Sequence, residues 1–200
     1  MTLNEDLEPL SSVESQKREG EAEVDSAVKE EYIPQGRYDG VLFAVYNNAA
    51  VSRTLKAIST LSVALCMIIF ATALVFYGIS DWRIPVKLAV VTGAPFIIVT
   101  LFRRLLNFPR PYEVFSFYEN APRRKRGQSF PSRHVFSIFV IGASLCFVNV
   151  GVGLALMLVG LTLAVSRVLL GIHFIRDVVA GGLIGVVSGV IGMLIANGIF

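Results

Sequence analysis

The chain has 200 residues, of which 54% are hydrophobic, and its mean hydropathy is +0.65. This composition excludes an ordinary soluble domain and predicts one domain that lies mostly in lipid. The charge is unevenly divided, because residues 1–39 carry 11 acidic and 4 basic side chains, a net charge of −7, whereas the remainder carries a net charge of +10.

The first predicted element is an acidic tail over residues 1–36. It is rich in Glu, Ser and Lys and poor in aromatic residues, so it cannot bury enough apolar surface to fold alone, and we predict that it is disordered. Residues 37–200 then form the membrane-embedded domain. Within it, the stretch 38–52 contains Asn47 and Asn48 and is too short to span the membrane. We predict that it forms an amphipathic helix at the membrane interface.

The rest of the chain predicts an all-α, polytopic membrane helical bundle of about five transmembrane helices. About 20 apolar residues suffice to cross the hydrocarbon core as a helix. Residues 135–166 form an uncharged run that is too long for one crossing, and the turn-forming residues in 149–153 divide it. We place the spans at about 57–80, 84–102, 133–149, 151–170 and 178–200.

Polar residues cluster at three ends of these spans. If five spans are counted, segments 103–133 and 167–177 both lie on the membrane face from which the first span starts. Membrane segments rarely contain such residues without a functional reason. Several guanidinium groups, two imidazoles and a carboxylate therefore converge on one face, which is typical of a phosphate-ester hydrolase.

The polar residues fall into three groups along the sequence. The groups are Arg103 with Arg110 and Pro111, then Pro131, Ser132, Arg133 and His134, then Ser166 and Arg167 with His173 and Asp177. Their order and spacing resemble the three-part signature of the type-2 phosphatidic acid phosphatases, a superfamily that also includes vanadium haloperoxidases and glucose-6-phosphatase. The resemblance covers about 75 residues, from Arg103 to Asp177.

The resemblance implies a phosphate-binding site made of arginines. Guanidinium groups suit a doubly charged phosphate because they bind its oxygens in pairs. The implied phosphate ligands are Arg103, Arg110, Arg167, the Ser132 hydroxyl and the Arg133 backbone N–H. Pro111, Pro131 and Ser166 would support them. The resemblance implies neither a metal ion nor another cofactor, because the arginines supply the positive charge.

The resemblance also implies the roles of three catalytic residues. His173 would attack phosphorus and form a phosphohistidine intermediate. Asp177 would accept a hydrogen bond from His173 and hold its orientation. His134 would protonate the leaving alcohol and then activate the water that hydrolyses the intermediate.

The sequence departs from the family's usual pattern at two positions. Arg103 stands where the family normally has Lys, which keeps the charge but changes the reach and geometry. Arg133 stands where the family usually has Gly, so a large cation is expected beside the site. We hypothesise that Arg133 contacts a second phosphate or an anionic headgroup and thereby favours a diphosphate substrate.

These features predict a membrane enzyme that removes phosphate from a lipid phosphate or diphosphate. An isoprenoid diphosphate such as undecaprenyl pyrophosphate, phosphatidic acid and phosphatidylglycerol phosphate remain alternative substrates. The expected partners are this lipid and the bilayer, with no nucleic acid, and the oligomeric state stays open. A non-catalytic transport or lipid-binding protein on the same fold is the alternative. It predicts polar residues in mid-span, but the predicted spans are almost free of charge.

The side of the membrane on which the site lies is left open by the sequence. On the five-span count, 16 of the 18 Lys and Arg residues lie on the side of the site, and only Arg83 and Lys87 lie opposite. The positive-inside rule then favours a cytosolic site. The resemblance instead implies the outer face.

Three further patterns complete the sequence-based expectations. The cluster 123–126 is predicted to be a basic patch at the membrane surface. Gly181, Gly185 and Gly189 recur every four residues, which indicates close helix contact in the fifth span. The two cysteines, Cys66 and Cys146, are predicted to be buried apolar residues without metal-ligand spacing.

Overall fold

The computed structural model describes residues 36–115, 117 and 126–199, and these residues form helices and no β-strand. The all-α bundle is therefore confirmed. The predicted tail, apart from Gly36, lies outside the described residues, as does the basic patch apart from Arg126. The helices are α1 (Arg37–Asn47), α2 (Ala49–Ser80), α3 (Arg83–Leu106), the one-turn helix α4 (Pro111–Val114), α5 (Arg133–Cys146), α6 (Val150–Leu169) and α7 (Ile175–Ile199).

Four helical segments of the described chain are long and apolar enough to cross a membrane. They are α2, the segment Arg83–Val114, α6 and α7. The protein is therefore a multi-pass membrane protein. The span predicted at 133–149 corresponds to the shorter apolar helix α5, which has 14 residues and ends at Cys146. A helix of this length spans about 21 Å.

Helix α5 occupies the centre of the bundle. It packs most extensively against α6 and α7, and it also contacts α2 and α3. Its side chains Val135, Phe136, Ile138, Val140 and Leu145 are all almost completely buried in the main hydrophobic core. This extensive burial explains why α5 is mostly apolar beyond its first turn, where the hydroxyls of Ser137 and Ser144 donate to carbonyl oxygens of the helix itself.

Glycines allow α5 to approach its neighbours closely. A Cβ atom added to Gly181 would lie 2.6 Å from the Ser132 carbonyl oxygen, and one added to Gly185 would lie 2.7 Å from the Phe136 carbonyl oxygen. Farther along α7, Gly189 faces Ala143 in the same way. The close contact predicted from the glycine spacing is therefore confirmed, and its partner is α5.

Two asparagines begin the helices that follow them. Asn149 caps α6, because its side chain accepts a hydrogen bond of 3.0 Å from the Val152 backbone N–H. The turn between α5 and α6 thus lies at 147–149, and all of the predicted turn segment 149–153 except Asn149 belongs to α6. Asn48 caps α2 in the same manner. This cap divides the predicted helix 38–52 into α1 and the first residues of α2.

Helix α1 packs on the segment that follows Pro111. Leu42 and Phe117 are fully buried together, and the Phe43 ring lies 5.5 Å from the Phe117 ring. At the start of the helix, the Tyr38 ring stacks on Phe174 at a centroid distance of 6.4 Å. Burial, followed by the nearby charge of Asp177, raises the pKa of Tyr38 to about 12. Helix α1 therefore covers the loops that carry the candidate site, while its interfacial position stays a prediction.

Candidate active site

The three polar groups of the sequence surround one small cavity. Its volume is about 170 Å³, and five arginines and two histidines line it. No carboxylate of the described residues belongs to this lining. The cavity lies where the end of α3, the start of α5, the end of α6 and the loop before α7 meet. The lining residues are Thr100, Arg103, Arg104, Arg110, Gln128, Arg133, His134, Arg167 and His173.

Arg103 and Arg110 both bind the backbone that leads into α5. The Arg103 guanidinium is buried and donates hydrogen bonds to the carbonyl oxygens of Gln128 and Pro131. Arg110 donates from Nε to the Gly127 carbonyl oxygen at 2.9 Å. The structure thus gives Arg103 a contact that the sequence did not predict, since its guanidinium holds the 128–131 segment as well as lining the cavity.

The segment before α5 also has its own backbone turn. Gly127 has φ +66° and Gln128 has φ +55°, so both lie in the left-handed region. The Gly127 N–H donates to Glu113 Oε1 at 2.6 Å. Pro111, the first residue of α4, is buried, and the Tyr112 N–H next to it donates to the Gly171 carbonyl oxygen at 3.3 Å. Short polar contacts therefore connect the first group to the other two.

Ser132 is the residue immediately before α5, and its hydroxyl is buried. The residue is fully buried, and its Oγ has no hydrogen-bond partner among the described residues. Its backbone N–H donates to the Asp177 carbonyl oxygen at 2.8 Å, which ties α5 to α7. The first N–H groups of a helix lack intrahelical acceptors and carry a partial positive charge. The start of α5 is therefore suited to an anion.

Arg133 and His134 extend from the first turn of α5. Both line the cationic cavity. The Arg133 guanidinium also lies over the Phe96 ring of α3, 5.6 Å from its centroid. Arg133 is therefore the arginine that reaches from the polar cavity toward the apolar interior of the bundle.

The end of α6 contributes Arg167. Its Nε is buried and has no hydrogen-bond partner within the described part of the chain. Its carbonyl oxygen accepts from the Ile172 and His173 N–H groups at 3.1 and 3.3 Å, in a turn where Gly171 has φ +63°. The neighbouring Ser166 hydroxyl donates to its own helix, to the Thr162 carbonyl oxygen at 2.8 Å. Arg167 therefore offers donors to a ligand, whereas Ser166 does not.

His173 lies in the loop between α6 and α7 and is only 2% exposed. Burial, opposed by the contact with Asp177 and reinforced by the charges of Arg110 and Arg103, lowers its pKa from 6.5 to about 4. Its imidazole is consequently neutral at pH 7, as a nucleophile requires. The Nδ1 atom faces Asp177 and Ser129, which leaves Nε2 for other partners.

Asp177 lies in the first turn of α7 and is fully buried. Its Oδ2 accepts a hydrogen bond of 3.0 Å from the Phe174 N–H and another from the Ser129 hydroxyl. The distance from His173 Nδ1 to Asp177 Oδ2 is 3.6 Å, longer than a direct hydrogen bond. The predicted His–Asp pair is thus close in space, but a third residue contacts both members.

That third residue, Ser129, was missed by the sequence interpretation. Its hydroxyl donates to Asp177 Oδ2 and lies 3.4 Å from His173 Nδ1, and the residue is fully buried. Its backbone N–H donates to the Phe108 carbonyl oxygen at 2.9 Å, so the residue is fixed on both sides. The only sequence signal was its position two residues before Pro131.

The donor set of the cavity suits an anion. Among the described residues, no group of three or more His, Cys, Asp and Glu side chains is arranged to hold a metal. The two cysteines are free, and Cys66 is buried as predicted, whereas Cys146 is partly exposed. What the cavity offers is guanidinium, imidazole and hydroxyl groups.

The fold and this cationic site place the chain in a class of helical membrane proteins whose polar groups converge on one anion-binding cavity. The sequence model of the PAP2 superfamily matches residues 84–199. The chain belongs to this superfamily, and the resemblance drawn from its motifs is confirmed.

Individual proteins of the superfamily show how far the likeness extends. The chain is 28% identical over 128 residues to "Undecaprenyl-diphosphatase BcrC" of Bacillus subtilis (strain 168), which covers 64% of this chain and 65% of that protein. The chain therefore spans slightly less than two thirds of the length of this curated relative.

Two crystal structures share the fold. Aquifex aeolicus LpxE matches with a TM-score of 0.58 and 18% identity over 86% of this chain and 94% of its own. A PAP2-type phosphatidylglycerolphosphate phosphatase from Bacillus subtilis matches with a TM-score of 0.56 and 17% identity over 92% of this chain and 86% of its own.

Proposed function

We propose that this protein is a lipid phosphatase that hydrolyses a phosphomonoester or diphosphate of a membrane lipid through a phosphohistidine. The observation that carries the proposal is the cavity of about 170 Å³ lined by five arginines and two histidines at one end of an apolar helical bundle. Such a cavity fits a multiply charged phosphate, and the surrounding spans favour a substrate that is itself held in the bilayer.

The phosphate would be bound by donors that have few protein partners. Arg167 Nε and Ser132 Oγ are both buried without a hydrogen-bond partner in the described chain. Arg110 and the backbone N–H of Arg133 would add donors at the same cavity. Arg103 would act mainly by holding the 128–131 segment and by its charge. A buried, unpaired donor is costly unless a ligand satisfies it, which supports binding of an anion here.

The chemistry would proceed in two displacements. The Nε2 lone pair of His173 forms a bond to phosphorus while the bond from phosphorus to the leaving oxygen breaks, and His134 gives its proton to that oxygen. Water then attacks the phosphohistidine, His134 takes a proton from this water, and inorganic phosphate leaves as His173 is regenerated. The arginines stabilise the charge that spreads over the equatorial oxygens in both steps.

Ser129 and Asp177 would orient the nucleophile. The Ser129 hydroxyl connects Asp177 Oδ2 with His173 Nδ1, where the direct distance of 3.6 Å is too long for a hydrogen bond. This arrangement keeps the proton on Nδ1 and leaves Nε2 as the attacking atom.

A diphosphate lipid is the substrate class that we favour. The relative BcrC carries the name undecaprenyl-diphosphatase, and Arg133 adds a cation at the edge of the cavity where a second phosphate would lie. Arg133→Gly, which restores the usual family residue, should lower the ratio of diphosphate to monophosphate turnover by about tenfold. An unchanged ratio would remove the basis for this preference.

The proposal is tested by phosphate release from a panel of lipid mono- and diphosphates. The detergent-purified protein would be assayed with and without a chelator, beside His173→Ala and the control Arg83→Ala, which changes an exposed arginine at the opposite end of α3. Release that resists the chelator, persists in Arg83→Ala and disappears in His173→Ala is expected. Absence of release from every lipid would contradict the proposal and favour a non-catalytic role, and chelator sensitivity would contradict metal independence.

A further inference from the structure

The carboxylate beside His173 has one oxygen without a hydrogen-bond partner. Asp177 is fully buried, and its Oδ2 accepts from the Phe174 N–H and the Ser129 hydroxyl. Its Oδ1 is also buried and accepts no hydrogen bond from the described residues. Arg176 Nε lies 3.6 Å from this oxygen, too far for a hydrogen bond, on a side chain that is 64% exposed. A buried carboxylate oxygen normally accepts a hydrogen bond, so Oδ1 calls for a donor.

A buried hydroxyl without a partner lies beside the start of α7. The Tyr38 hydroxyl, in the first turn of α1, has no hydrogen-bond partner in the described chain. The Tyr38 ring stacks on Phe174, three residues before Asp177, at a centroid distance of 6.4 Å and an interplanar angle of 30°. It also packs against Phe115, at a centroid distance of 6.0 Å. These two ring contacts hold Tyr38 between the end of α4 and the start of α7.

The charge of Asp177 acts on the Tyr38 phenol. Burial, followed by this charge, raises the pKa of Tyr38 to about 12. The phenol therefore keeps its proton at neutral pH and can donate a hydrogen bond. A buried donor and a buried acceptor each cost free energy while unpaired, and a hydrogen bond between them removes both costs.

We propose that Tyr38 is a positioning residue whose hydroxyl donates a hydrogen bond to Asp177 Oδ1. The inference rests on the proposed function and adds helix α1, which lies outside the matched residues 84–199, to the elements that orient His173. A rotation of the Tyr38 or Asp177 side chain forms the bond, since neither atom has a partner in the described chain. The carboxylate is then held from both sides, by Ser129 at Oδ2 and by Tyr38 at Oδ1, which fixes its direction toward the imidazole.

The experiment removes one hydroxyl from the full-length protein in detergent. Tyr38→Phe keeps the ring and its stacking on Phe174 but loses the donor. Tyr46→Phe is the matched control, because it removes a phenol hydroxyl from the same helix where the ring packs on Phe117 at 5.9 Å. The values of kcat and KM are measured on the lipid of the panel that the wild-type protein hydrolyses fastest. Thermal unfolding is measured for Tyr38→Phe, for Asp177→Ala and for the double variant.

We expect Tyr38→Phe to lower kcat about tenfold or more at unchanged KM, because the residue touches no substrate. Tyr46→Phe should alter neither constant. In thermal unfolding, the midpoint losses of Tyr38→Phe and Asp177→Ala should be less than additive in the double variant, since either substitution breaks the same contact.

Several results would overturn this assignment. They are a wild-type kcat or a raised KM in Tyr38→Phe, an equal loss of kcat in Tyr46→Phe, and additive losses in the unfolding midpoint. A loss of kcat in Arg176→Gln, together with a wild-type kcat in Tyr38→Phe, would assign Oδ1 to Arg176 instead. If the wild-type protein hydrolyses no lipid of the panel, the proposed function fails. The additivity of the unfolding midpoints then still decides whether Tyr38 contacts Asp177.

Discussion

The two sides of helix α5 are packed in opposite ways. Toward α7, the glycines Gly181 and Gly185 bring backbone against backbone, and a Cβ atom there would lie within 2.7 Å of an α5 carbonyl oxygen. On its other sides, the same helix borders the cationic cavity of about 170 Å³ toward α3 and the end of α6, and a cavity of about 250 Å³ toward α2 and α3. A groove of about 430 Å³ lies between α5, α6 and α7, outside this backbone contact. The closed side fixes where α5 begins, and the open side leaves room for a ligand beside that beginning.

The contact with α7 holds the start of α5 in place. Ser132 at the start of α5 is tied to α7 through its backbone N–H, which donates to the Asp177 carbonyl oxygen at 2.8 Å. Gly181 lies against the Ser132 backbone at the same point. The position of His134 relative to His173 therefore depends on a rigid contact between α5 and α7, while the substrate would approach from the other side.

The largest effect is expected from removing the proposed nucleophile. His173→Ala should lower phosphate release to less than about one thousandth of the wild-type rate, because the proposed covalent intermediate forms on its Nε2 atom. The size-exclusion profile and thermal unfolding of the variant should stay close to wild type. Asp177→Asn should reduce the rate strongly but less completely. Substantial turnover by purified His173→Ala would show that another residue attacks phosphorus.

Breaking the closed side should affect stability before chemistry. Gly185→Ala places a methyl group 2.7 Å from the Phe136 carbonyl oxygen, so α5 and α7 must separate, at a cost of about 1–3 kcal/mol in the free energy of unfolding. Gly182→Ala is the matched control three residues away, where the nearest atom lies at 3.8 Å. Thermal unfolding in detergent should show a lower midpoint for Gly185→Ala only. Equal midpoints would mean that the close contact is not rigid.

A third prediction concerns the contribution of the buried His173 imidazole to the pH dependence of stability. Burial, followed by the charges of Arg110 and Arg103, lowers the pKa of His173 from 6.5 to about 4, against the opposing effect of Asp177. Between about pH 4 and pH 6.5, this histidine carries a proton in the unfolded chain but not in the folded protein. The free energy of unfolding therefore falls as the pH falls. From about pH 7 to about pH 5, the wild-type protein should lose about 2 kcal/mol more than His173→Gln. If the free energy of unfolding fell equally in the two proteins over this pH range, His173 would not be neutral in the folded protein.

The sequence predicted the membrane bundle and the polar groups because both depend on local patterns. Long apolar runs identify helices such as α2 and α7 by length alone, and the glycine spacing in α7 indicates its close contact. Hydrophobicity locates the end of a helix less sharply than its presence, so the observed end of α5 at Cys146 differs from the predicted boundary at 149.

The unexpected contacts in the site arise from chain segments that are distant in sequence. Arg103 donates to the carbonyl oxygens of Gln128 and Pro131. Every residue has a backbone carbonyl, so the sequence does not show which ones accept a hydrogen bond. Ser129 meets Asp177 across 48 positions of the chain, and serine is common enough that its presence before Pro131 carries little information. Such contacts depend on how the loop before α5 folds over the start of α7.

The smallest effect is expected for Ser129, and its removal tests whether this residue orients His173. Ser129→Ala removes the hydroxyl that contacts both Asp177 Oδ2 and His173 Nδ1. Because this positioning residue would touch no substrate, kcat and the rate of phosphohistidine formation should fall about tenfold while KM stays unchanged. Ser144→Ala removes an equally buried hydroxyl that donates to the Val140 carbonyl oxygen at 2.7 Å, and it should alter neither constant. A rise in KM in Ser129→Ala would indicate a role in substrate binding, and equal losses in both variants would reduce the effect of Ser129 to packing.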